Sequence, residues 1–342
     1  MVRGTQRTSS ASAVGVRRRP CVAVLLAALA SVVDLKVVEF YVGPLRRRDG
    51  LRHHGAMPEL PEVTALAAGL TERMRERTIS AVRLRSVGAL KTFDPPLQVL
   101  AGRTVEGWTR HGKFLDMEAG DVHLVVHLAR AGWIRWRDRL GEARATLRGP
   151  LALQVELDGG AGIDVTEQGT EKRLALYVVH DPMTAVPGIA RLGVDVLDDA
   201  LDAAGLRRLL RDRRGQLKTV LADQTVIAGV GNAYSDEVLH AARLSPFRNA
   251  AALSDDETAR LHDSLRAVMA GAVERTRRLD MADLKPDKKE HMAVHGRTGE
   301  PCPVCGDTIR QVSLSTRSFQ YCPTCQTGGR VLADRRLSRL LR

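Results

Sequence analysis

Met57-Pro58-Glu59-Leu60-Pro61-Glu62-Val63 is the stretch of this 342-residue chain from which its fold can be worked out. Pro61 suits the first turn of a helix, because its missing N–H would have no partner there. Apolar side chains then recur at helical spacing, namely Val63, Leu66, Ala67, Leu70 and Met74. The pattern predicts an amphipathic helix over residues 61–76.

Pro58 can act as a nucleophile if the methionine before it is removed. Its nitrogen would then be a free secondary amine, and an α-amino group with a pKa near 8 is about one-tenth uncharged at pH 7. An uncharged amine can attack a carbonyl-like carbon to form an iminium, and Glu59 and Glu62 are near enough in sequence to carry protons. Each residue alone also fits an ordinary helix start, which favours proline and acidic side chains.

The next segments alternate between apolar and polar residues, which predicts strands over residues 78–84, 123–128, 151–157 and 173–179. Gly, Pro and Asp separate these segments. A two-layered antiparallel sheet domain is therefore expected up to about residue 185.

Helical patterns then replace the strands. Helices are predicted over residues 201–210, 217–223 and 233–242, and Ser254 with Glu257 forms a capping box that opens a long helix. The polar stretch 284–290 leads into the cysteine module. We divide the chain into a leader, a sheet domain, a helical domain, a cysteine module and a basic tail, at residues 1–56, 57–185, 195–290, 294–326 and 327–342.

Four of the five cysteines form two close pairs, Cys302 with Cys305 and Cys322 with Cys325. Each pair has Cys-x2-Cys spacing, and sixteen residues separate the pairs, as in a four-cysteine zinc module. With sulfur at all four positions, one bound Zn²⁺ would be structural, because a catalytic zinc keeps an open position for water. A disulfide pair or a buried thiol cluster is the alternative.

Gly229-Val230-Gly231-Asn232 marks a turn at the start of the helix predicted over residues 233–242. Glycine lets a backbone approach a ligand closely, and the free N–H groups at a helix start favour an anion. Phosphate is the occupant that we expect there. A Gly-x-Gly pair alone also occurs in ordinary tight turns.

The charge of the chain favours polyanionic partners. Lys and Arg total 52 against 40 Asp and Glu, a net charge of +12, of which residues 1–56 carry +7. Aromatic residues make up only 4%, too few for a protein that works mainly by stacking bases on exposed rings. The cysteines do not follow the pattern of a secreted disulfide scaffold, so a reducing, cytoplasmic setting is expected.

Residues 1–56 differ from the rest of the chain. Arg17-Arg18-Arg19 precede a thirteen-residue apolar run, Cys21 to Val33, which is too short to span a bilayer. The segment is a targeting peptide, a basic appendage with a function, or translation from a start codon assigned too far upstream. We favour the last interpretation, a non-native leader, and expect the native protein to begin at Pro58.

Three motifs in this order, Met57 to Val63, Gly229 to Asn232 and the paired cysteines, resemble the formamidopyrimidine-DNA glycosylase and endonuclease VIII family of repair enzymes. The resemblance runs from Met57 to about Gln326 and includes the family's strand-loop lysine, here Lys113. It implies an α+β fold with three parts: an N-terminal helix plus an antiparallel β-sandwich, a helix-two-turn-helix domain, and a C-terminal β-hairpin zinc finger.

The family's chemistry implies a bifunctional DNA glycosylase and abasic-site lyase that removes oxidised bases in base excision repair. Pro58 would attack C1′ of the damaged nucleoside, expel the base and form a Schiff base that permits strand cleavage. Glu59 would donate and relay protons, Glu62 would orient the amine, and Lys113 would contact phosphate or act as an auxiliary acid. Contacts to DNA would come from Arg130, Lys218, Asn232 and Arg317.

Two stretches depart from the family pattern. Where the family has a methionine after His-Leu-Gly, this chain has Arg130, and residues 166–173 lack the family's Arg-Arg-Phe. In the family these residues fill the space that an extruded nucleotide leaves. Arg130 is therefore a candidate wedge, with contact to the DNA backbone as the alternative, and the preferred lesion is an open question.

Two further function classes stay open at this point. One is a catalytically silent zinc-finger DNA-binding protein of the same architecture, and the other is a membrane-associated protein anchored through residues 21–33. We expect a monomer that binds damaged double-stranded DNA in the nucleoid and no membrane. The three tryptophans and two histidine pairs, His123 with His127 and His291 with His295 on one helix face, are interpreted as structural.

Overall fold

The computed structural model describes residues 57–141, 149–314 and 317–333, without the side chains of Leu314 and Arg317. The predicted helix is confirmed, because α1 spans Leu60–Met74. The predictions for the leader 1–56 and for residues 334–342 of the basic tail lie outside the described residues.

The sequence after α1 forms two antiparallel sheets. In the described part of this domain the strands are β1 (Ile79–Leu84), β2 (Gly107–His111), β3 (Phe114–Ala119), β4 (Val122–His127), β5 (Gly132–Arg137), β6 (Leu151–Leu157), β7 (Gly162–Glu167) and β8 (Ala175–Val179). Their orders are β1-β6-β7-β5 and β2-β3-β4-β8. The predicted strands are confirmed within about two residues. Sequence patterns miss β2, β3, β5 and β7, where polar residues such as Arg110, Asp116 and Arg135 interrupt the apolar alternation.

Residues of both sheets share one apolar core with α1. Leu66, Leu70 and Met74 of α1 are fully buried in it. Trp108 and Trp133 also lie in this core, and Trp136 packs half-buried against it. The structural interpretation of the tryptophans is therefore confirmed.

Helices dominate the second part of the chain. Its elements are α2 (Pro182–Ala185), β9 (Val194–Asp195), α3 (Ala203–Arg211), α4 (Leu217–Leu221), β10 (Ile227–Ala228), α5 (Asn232–Ala241), α6 (Asp255–Thr276) and α7 (Leu284–Glu290). The capping box of α6 is confirmed, because Ser254 and Glu257 each accept the other's backbone N–H. Leu60 of α1 belongs to the core of these helices, so α1 begins in one core and continues into the other.

The polar stretch 284–290 that leads into the cysteine module is the helix α7, which the sequence analysis did not assign. Leu284 is fully buried, and the carboxylate of Asp287 accepts a hydrogen bond from the Arg275 guanidinium of α6 at 3.0 Å. Lys288 is only 2% exposed. The charged sequence of α7 therefore hides a buried face.

The prediction that His291 and His295 share a helix face is wrong, because α7 ends at Glu290. Nδ1 of His291 lies 3.0 Å from the carbonyl oxygen of Asp287. Nδ1 of His295 lies 2.8 Å from a carboxylate oxygen of Asp236 in α5. The two rings thus contact different helices.

The last described segment is a hairpin of β11 (Arg310–Leu314) and β12 (Arg317–Tyr321), followed by α8 (Pro323–Thr327). The chain leading into it is fixed to α5 by one buried carboxylate. Glu237 accepts three backbone N–H groups, those of Ala293, Val294 and His295, at 2.7 to 3.0 Å. The hairpin is therefore attached to the helical domain.

Candidate active site

Pro58, Glu59 and Glu62 lie where the two apolar cores meet. Pro58 is buried, and Glu59 and Glu62 are each 1% exposed. Between the two carboxylates, Leu60 packs into the helical core and Val63 next to them packs into the sheet core. Two buried carboxylates are stable only when hydrogen bonds and positive charge compensate them. The neighbouring elements supply both.

The carboxylate of Glu59 occupies the N-terminus of α5. Its Oε1 accepts the N–H of Ala233 at 2.9 Å, and its Oε2 accepts the N–H of Tyr234 at 3.4 Å. The capping residue of α5 is Gly231, which has no side chain of its own to do this. A Cβ at Gly231 would lie 2.4 Å from Cδ of Glu59, so only glycine leaves room for the carboxylate. Glu59 therefore takes the N–H groups of Ala233 and Tyr234, and a phosphate contact at this helix start stays a prediction for Asn232.

The first glycine of the turn accommodates α1. Gly229 has φ +98°, in the region that favours glycine, and a Cβ there would lie 2.4 Å from Cδ1 of Leu60. The side chain of Gln224 holds the turn, because its Nε2 donates to the carbonyl of Val230 and its Oε1 accepts the N–H of Gly229. Gln224 is a positioning residue that the motif analysis did not single out.

Glu59 is ionised at neutral pH. Burial raises the pKa of Glu59, but the charges of Lys288 and Lys113 and the hydrogen bond from Ala233 outweigh burial and hold the pKa below its ordinary value. An ionised carboxylate must accept a proton before it can donate one. The environment of Glu59 therefore suits a proton relay.

Glu62 is held by three donors. Its Oε2 accepts the backbone N–H of Glu59 at 2.7 Å and a hydrogen bond from Lys288 at 2.8 Å, and its Oε1 accepts the Tyr234 hydroxyl at 2.8 Å. Burial and the nearby Glu62 carboxylate raise the pKa of Tyr234 far above its ordinary value, so the hydroxyl keeps its proton and donates. The orientation of Glu62 is therefore fixed.

Lys113, in the turn between β2 and β3, reaches the same pocket. It is 7% exposed, and its Nζ donates to the carbonyl of Val230 at 2.9 Å. A Cβ at Gly231 would lie 2.6 Å from Lys113 Nζ and 2.6 Å from Oε2 of Glu59, so Gly231 lies between these two charged groups. The structure thus brings together all four predicted catalytic residues.

Lys288 of α7 is a member of the pocket that sequence reasoning missed. Its Nζ lies 2.8 Å from Oε2 of Glu62, 3.6 Å from Oε1 of Glu59 and 3.0 Å from the carbonyl oxygen of Met57. A run of Lys and Asp usually indicates a solvated face. The usable signal was Leu284, which lies four residues earlier and therefore on the same helix face.

His127 of β4 borders the pocket. Its ring packs against Phe114 with the centroids 4.5 Å apart. Burial, followed by the charge of Lys113, lowers the pKa of His127 to about 4. The imidazole is therefore neutral at pH 7, and the structural interpretation of this residue agrees with its packing.

Lys218, a predicted DNA contact, is 1% exposed. Its Nζ lies 2.5 Å from Oδ1 of Asp236 and 3.0 Å from the carbonyl oxygen of Ser318, and it faces the Phe319 ring at 4.7 Å. Lys218 thus fastens β12 to α5. Its direct contact with phosphate stays a prediction.

Of the other predicted DNA contacts, Asn232 is half-buried at a helix start and Arg130 is exposed in a turn. Asn232 opens α5, and its buried side-chain oxygen has no hydrogen-bond partner among the described residues. Arg130 is exposed in the turn between β4 and β5, after Ala129, whose φ of +50° is unusual for a residue other than glycine. The Arg317 side chain lies outside the described residues.

The four paired cysteines fit one structural zinc ion. Their Sγ atoms, in Cys302, Cys305, Cys322 and Cys325, all lie within 4.8 Å of one another. Tetrahedral Zn–S bonds of about 2.3 Å place sulfur atoms about 3.8 Å apart, and Sγ of Cys302 and Sγ of Cys325 are 3.9 Å apart. Nε2 of His240 lies 3.3 Å from Sγ of Cys302, so α5 also contacts the cluster.

Family models match three parts of the chain. They are the formamidopyrimidine-DNA glycosylase N-terminal domain over residues 57–170, the H2TH domain of the same enzymes over 192–280, and a zinc finger found in FPG and IleRS over 299–328. A formamidopyrimidine-DNA glycosylase from Moorella thermoacetica is 37% identical over 264 residues, 75% of this chain and 94% of that relative. The chain belongs to the formamidopyrimidine-DNA glycosylase family.

The chain is also similar to further proteins and solved structures of this kind. An uncharacterized formamidopyrimidine-DNA glycosylase-like protein from Mycobacterium tuberculosis is 52% identical over 160 residues, 47% of this chain and all of that protein. The Lactococcus lactis glycosylase, crystallised with DNA that contains an AP site, has a TM-score of 0.70 at 26% identity and covers 79% of this chain and all of its own. The Thermus thermophilus protein has a TM-score of 0.67 at 32% identity, with 79% and 98% covered.

These matches confirm the predicted fold class, the family and the class of enzyme, a DNA glycosylase. The finger match and the cysteine geometry together confirm the zinc prediction. Within the described ranges, no helix combines the length and the apolar character needed to cross a bilayer.

Proposed function

We propose that this glycosylase is bifunctional: it removes oxidised bases from double-stranded DNA through a Schiff base on Pro58 and cleaves the resulting abasic strand. The position of Pro58 carries the proposal. Pro58 is buried beside Glu59 and Glu62, with Lys113 and Lys288 in the same pocket. An amine at this place would have proton acceptors within reach and little water to compete with it.

The reaction uses the lone pair of the Pro58 nitrogen. This pair forms a bond to C1′ of the damaged nucleoside as the bond from C1′ to the base breaks and the base leaves with a proton. The amine proton goes to the departing base or to the sugar oxygen, and a second proton, from Lys113 or solvent, goes to the other, so that opening of the sugar ring gives the iminium. Loss of a proton from C2′ expels the 3′ phosphate, and water then hydrolyses the iminium and frees the amine.

Three side chains support these steps. Glu59, ionised and held by α5, takes the proton that Pro58 releases and returns it to the sugar oxygen or the base. Glu62, fixed by Tyr234 and Lys288, orients the amine. Lys113, which stands across Gly231 from Glu59, contacts the phosphate next to the lesion or acts as an auxiliary acid.

The species that reacts must begin at Pro58. While Met57 is attached, the nitrogen of Pro58 is an amide whose lone pair is delocalised, and it cannot act as a nucleophile. We therefore infer that residues 1–57 are absent from the active enzyme. The alternatives for residues 1–56, a targeting peptide or a basic appendage, require cleavage at the same bond to give activity.

Contacts with duplex DNA would come from the helical domain and the hairpin. Asn232, whose side-chain oxygen has no hydrogen-bond partner among the described residues, would turn its side-chain N–H groups towards a phosphate. Lys218 would act through β12, which it holds in place, and which carries Arg317. An extruded nucleotide leaves a gap in the duplex, and Arg130 is the residue proposed to enter it. We propose that the enzyme works as a monomer on chromosomal DNA.

Borohydride trapping tests this function. The chain that begins at Met57, with removal of the methionine verified by intact mass, is incubated with duplexes that hold an abasic site or an oxidised base. Borohydride reduces an iminium to a stable amine, so a covalent protein–DNA band reports the intermediate. The expected result is a band that is absent with the uncleaved full-length chain, whose Pro58 nitrogen is an amide, and weaker with Pro58→Gly, which replaces the secondary amine by a primary one.

Binding separates the alternatives. Pro58→Gly should bind the abasic duplex with an affinity close to that of the unchanged protein, because the DNA contacts lie elsewhere. Protein that binds this duplex but gives no band would instead be a catalytically silent DNA-binding protein of the same family.

A further inference from the structure

Lys288 is a cation that the fold buries at some cost. Removing an ammonium group from water is expensive unless paired carboxylates compensate it. Nζ of Lys288 has both Glu59 and Glu62 within 3.6 Å, faces the Tyr234 ring at 4.7 Å and is 2% exposed in total. The two carboxylates supply that compensation, and the ammonium in turn offsets their negative charge at the reaction centre.

The remaining contact of Lys288 points to the reaction centre. Its Nζ donates to the carbonyl oxygen of Met57 at 3.0 Å. That oxygen and the nitrogen of Pro58 belong to the same amide, in which the C=O and C–N bonds together measure about 2.6 Å. The Nζ atom therefore lies within about 5.6 Å of the Pro58 nitrogen. Removal of Met57 takes away this acceptor and leaves the ammonium facing the new amine.

We propose that Lys288 is a positioning residue that keeps the Pro58 amine uncharged and ready to attack, an inference that rests on the proposed function. A fixed positive charge at this distance disfavours a second positive charge on the amine. The same contact holds Glu62 towards the amine. Lys288 itself forms no bond to the substrate.

Other charged groups around the Pro58 nitrogen act in both directions. The carboxylate of Glu59, whose pKa is lowered, favours the protonated amine, and the cations oppose it. The titratable and charged groups that the packed elements bring to this pocket are Glu59 at the start of α1 and Glu62 in α1, Lys113 from the β2–β3 turn, Tyr234 from α5, Arg275 from α6, Asp287 and Lys288 from α7, and His295 after it. Because Lys288 contacts both carboxylates, removing its charge should raise the pKa of the Pro58 amine more than removing a more distant charge would.

The test is the pH profile of borohydride trapping on an abasic duplex, for the protein that begins at Pro58. Lys288→Met removes the charge and keeps the length of the side chain. Its half-maximal trapping rate should move to higher pH by about one unit or more, and trapping below that midpoint should fall about tenfold. Above the midpoint the rate should recover to near that of the unchanged protein. Lys288→Arg keeps the charge and should keep the midpoint.

Lys289→Met provides a matched control, because Lys289 is the exposed neighbour on the same helix. It should change neither rate nor midpoint. If Lys288→Met does not fold, as judged by its thermal transition, Lys288→Gln serves in its place.

Two outcomes would overturn the inference while the proposed function stands. The first is a rate that falls equally at every pH, which a structural role would give. The second is a trapped adduct on Lys288 itself, which would make it the nucleophile. Failure of the unchanged protein to trap any DNA it binds would instead overturn the proposed function, and this inference with it.

Discussion

The pocket around Pro58 and the two loops at residues 128–132 and 168–173 hold their polar groups differently. In the pocket, Glu62 receives three hydrogen bonds and Glu59 caps α5. In the loops, the Arg130 side chain is exposed and makes no hydrogen bond or ion pair with the described residues. The loops touch through one backbone hydrogen bond, from Gln168 N–H to the Ala131 carbonyl at 3.1 Å.

This difference indicates that the pocket serves the reaction itself and that the loops serve the choice of substrate. The pocket is organised by the fold before DNA arrives, as expected for groups that must be preorganised for a reaction. In the loops, Arg173 pairs with Glu171 at 3.3 Å with both side chains exposed, and Arg130 has no partner among the described residues. The loops are also where this chain departs from the family pattern, at Arg130 and over residues 166–173. Changes in the pocket should therefore affect every substrate, and changes in the loops should affect some substrates more than others.

Glu59→Gln should have the largest effect. The amide oxygen can still accept the N–H group of Ala233, so the main contact of the cap on α5 survives, but the side chain can no longer carry a proton. Base excision should fall by about 10² to 10⁴-fold, measured as single-turnover release of an oxidised base. An unchanged Kd for the same duplex is the control. Excision within a factor of a few of the original would exclude Glu59 as the relay.

Gly231→Ala should reduce excision and abasic-site cleavage together, by about 100-fold. The new Cβ would displace Glu59 and Lys113, and a shift of about 1 Å in reacting groups costs this much. Gly271→Ala is the matched control, since its Cβ meets nothing within 4 Å in the exposed face of α6. That variant should be fully active and more stable by up to about 1 kcal/mol. Equal behaviour of the two variants would contradict the crowded geometry.

His127, at the edge of the Pro58 pocket, should make the stability of the protein depend on pH. Its pKa of about 4 lies below the value of about 6.5 in an unfolded chain, so the unfolded state takes up a proton first as pH falls. The neutral imidazole therefore contributes stability above pH 6.5 that is lost as pH falls towards 4.

Urea unfolding at pH 7 and pH 5 measures this contribution. Between these values the unchanged protein should lose about 2 kcal/mol more stability than His127→Gln does. Identical losses for the His127 variant would show that His127 is not held neutral.

Arg130→Ala should have the smallest effect and the most selective one. If Arg130 enters the gap left by an extruded base, excision should fall about tenfold while cleavage of a preformed abasic site changes little. If Arg130 only contacts the backbone, both activities should fall alike and the salt dependence of binding should weaken by about one phosphate. Comparing the two substrates at two salt concentrations distinguishes these roles.

A site can be predicted from sequence when its residue types and spacing have a single common physical explanation. The Cys-x2-Cys pairs indicate zinc because four thiolates at that spacing have few other uses. Gly229 and Gly231 are predicted as a close approach of backbone to a ligand, but their actual neighbours are Leu60 and Glu59. Periodicity along one segment cannot show which distant segment fills the space.

Lys288 is a residue whose role could not be predicted from the sequence around it. A lysine in the segment Lys285-Pro-Asp-Lys-Lys-Glu290 has the composition of a solvated surface, and its burial depends on Glu59 and Glu62 more than two hundred residues earlier. The strands β2 and β3 were missed for a related reason. Asp116 is buried there because His111 and His123 pair with it across the sheet.

The central claim, that a buried N-terminal amine is the reacting group, is tested most directly by locating the trapped carbon. The reduced protein–DNA adduct from an abasic duplex is digested with protease and nuclease, and the modified peptide is sequenced by mass spectrometry. We predict that the sugar remnant is attached to the nitrogen of Pro58 in a peptide that begins at that residue. Attachment to Lys113 or Lys288, or to a peptide that still contains Met57, would contradict the account.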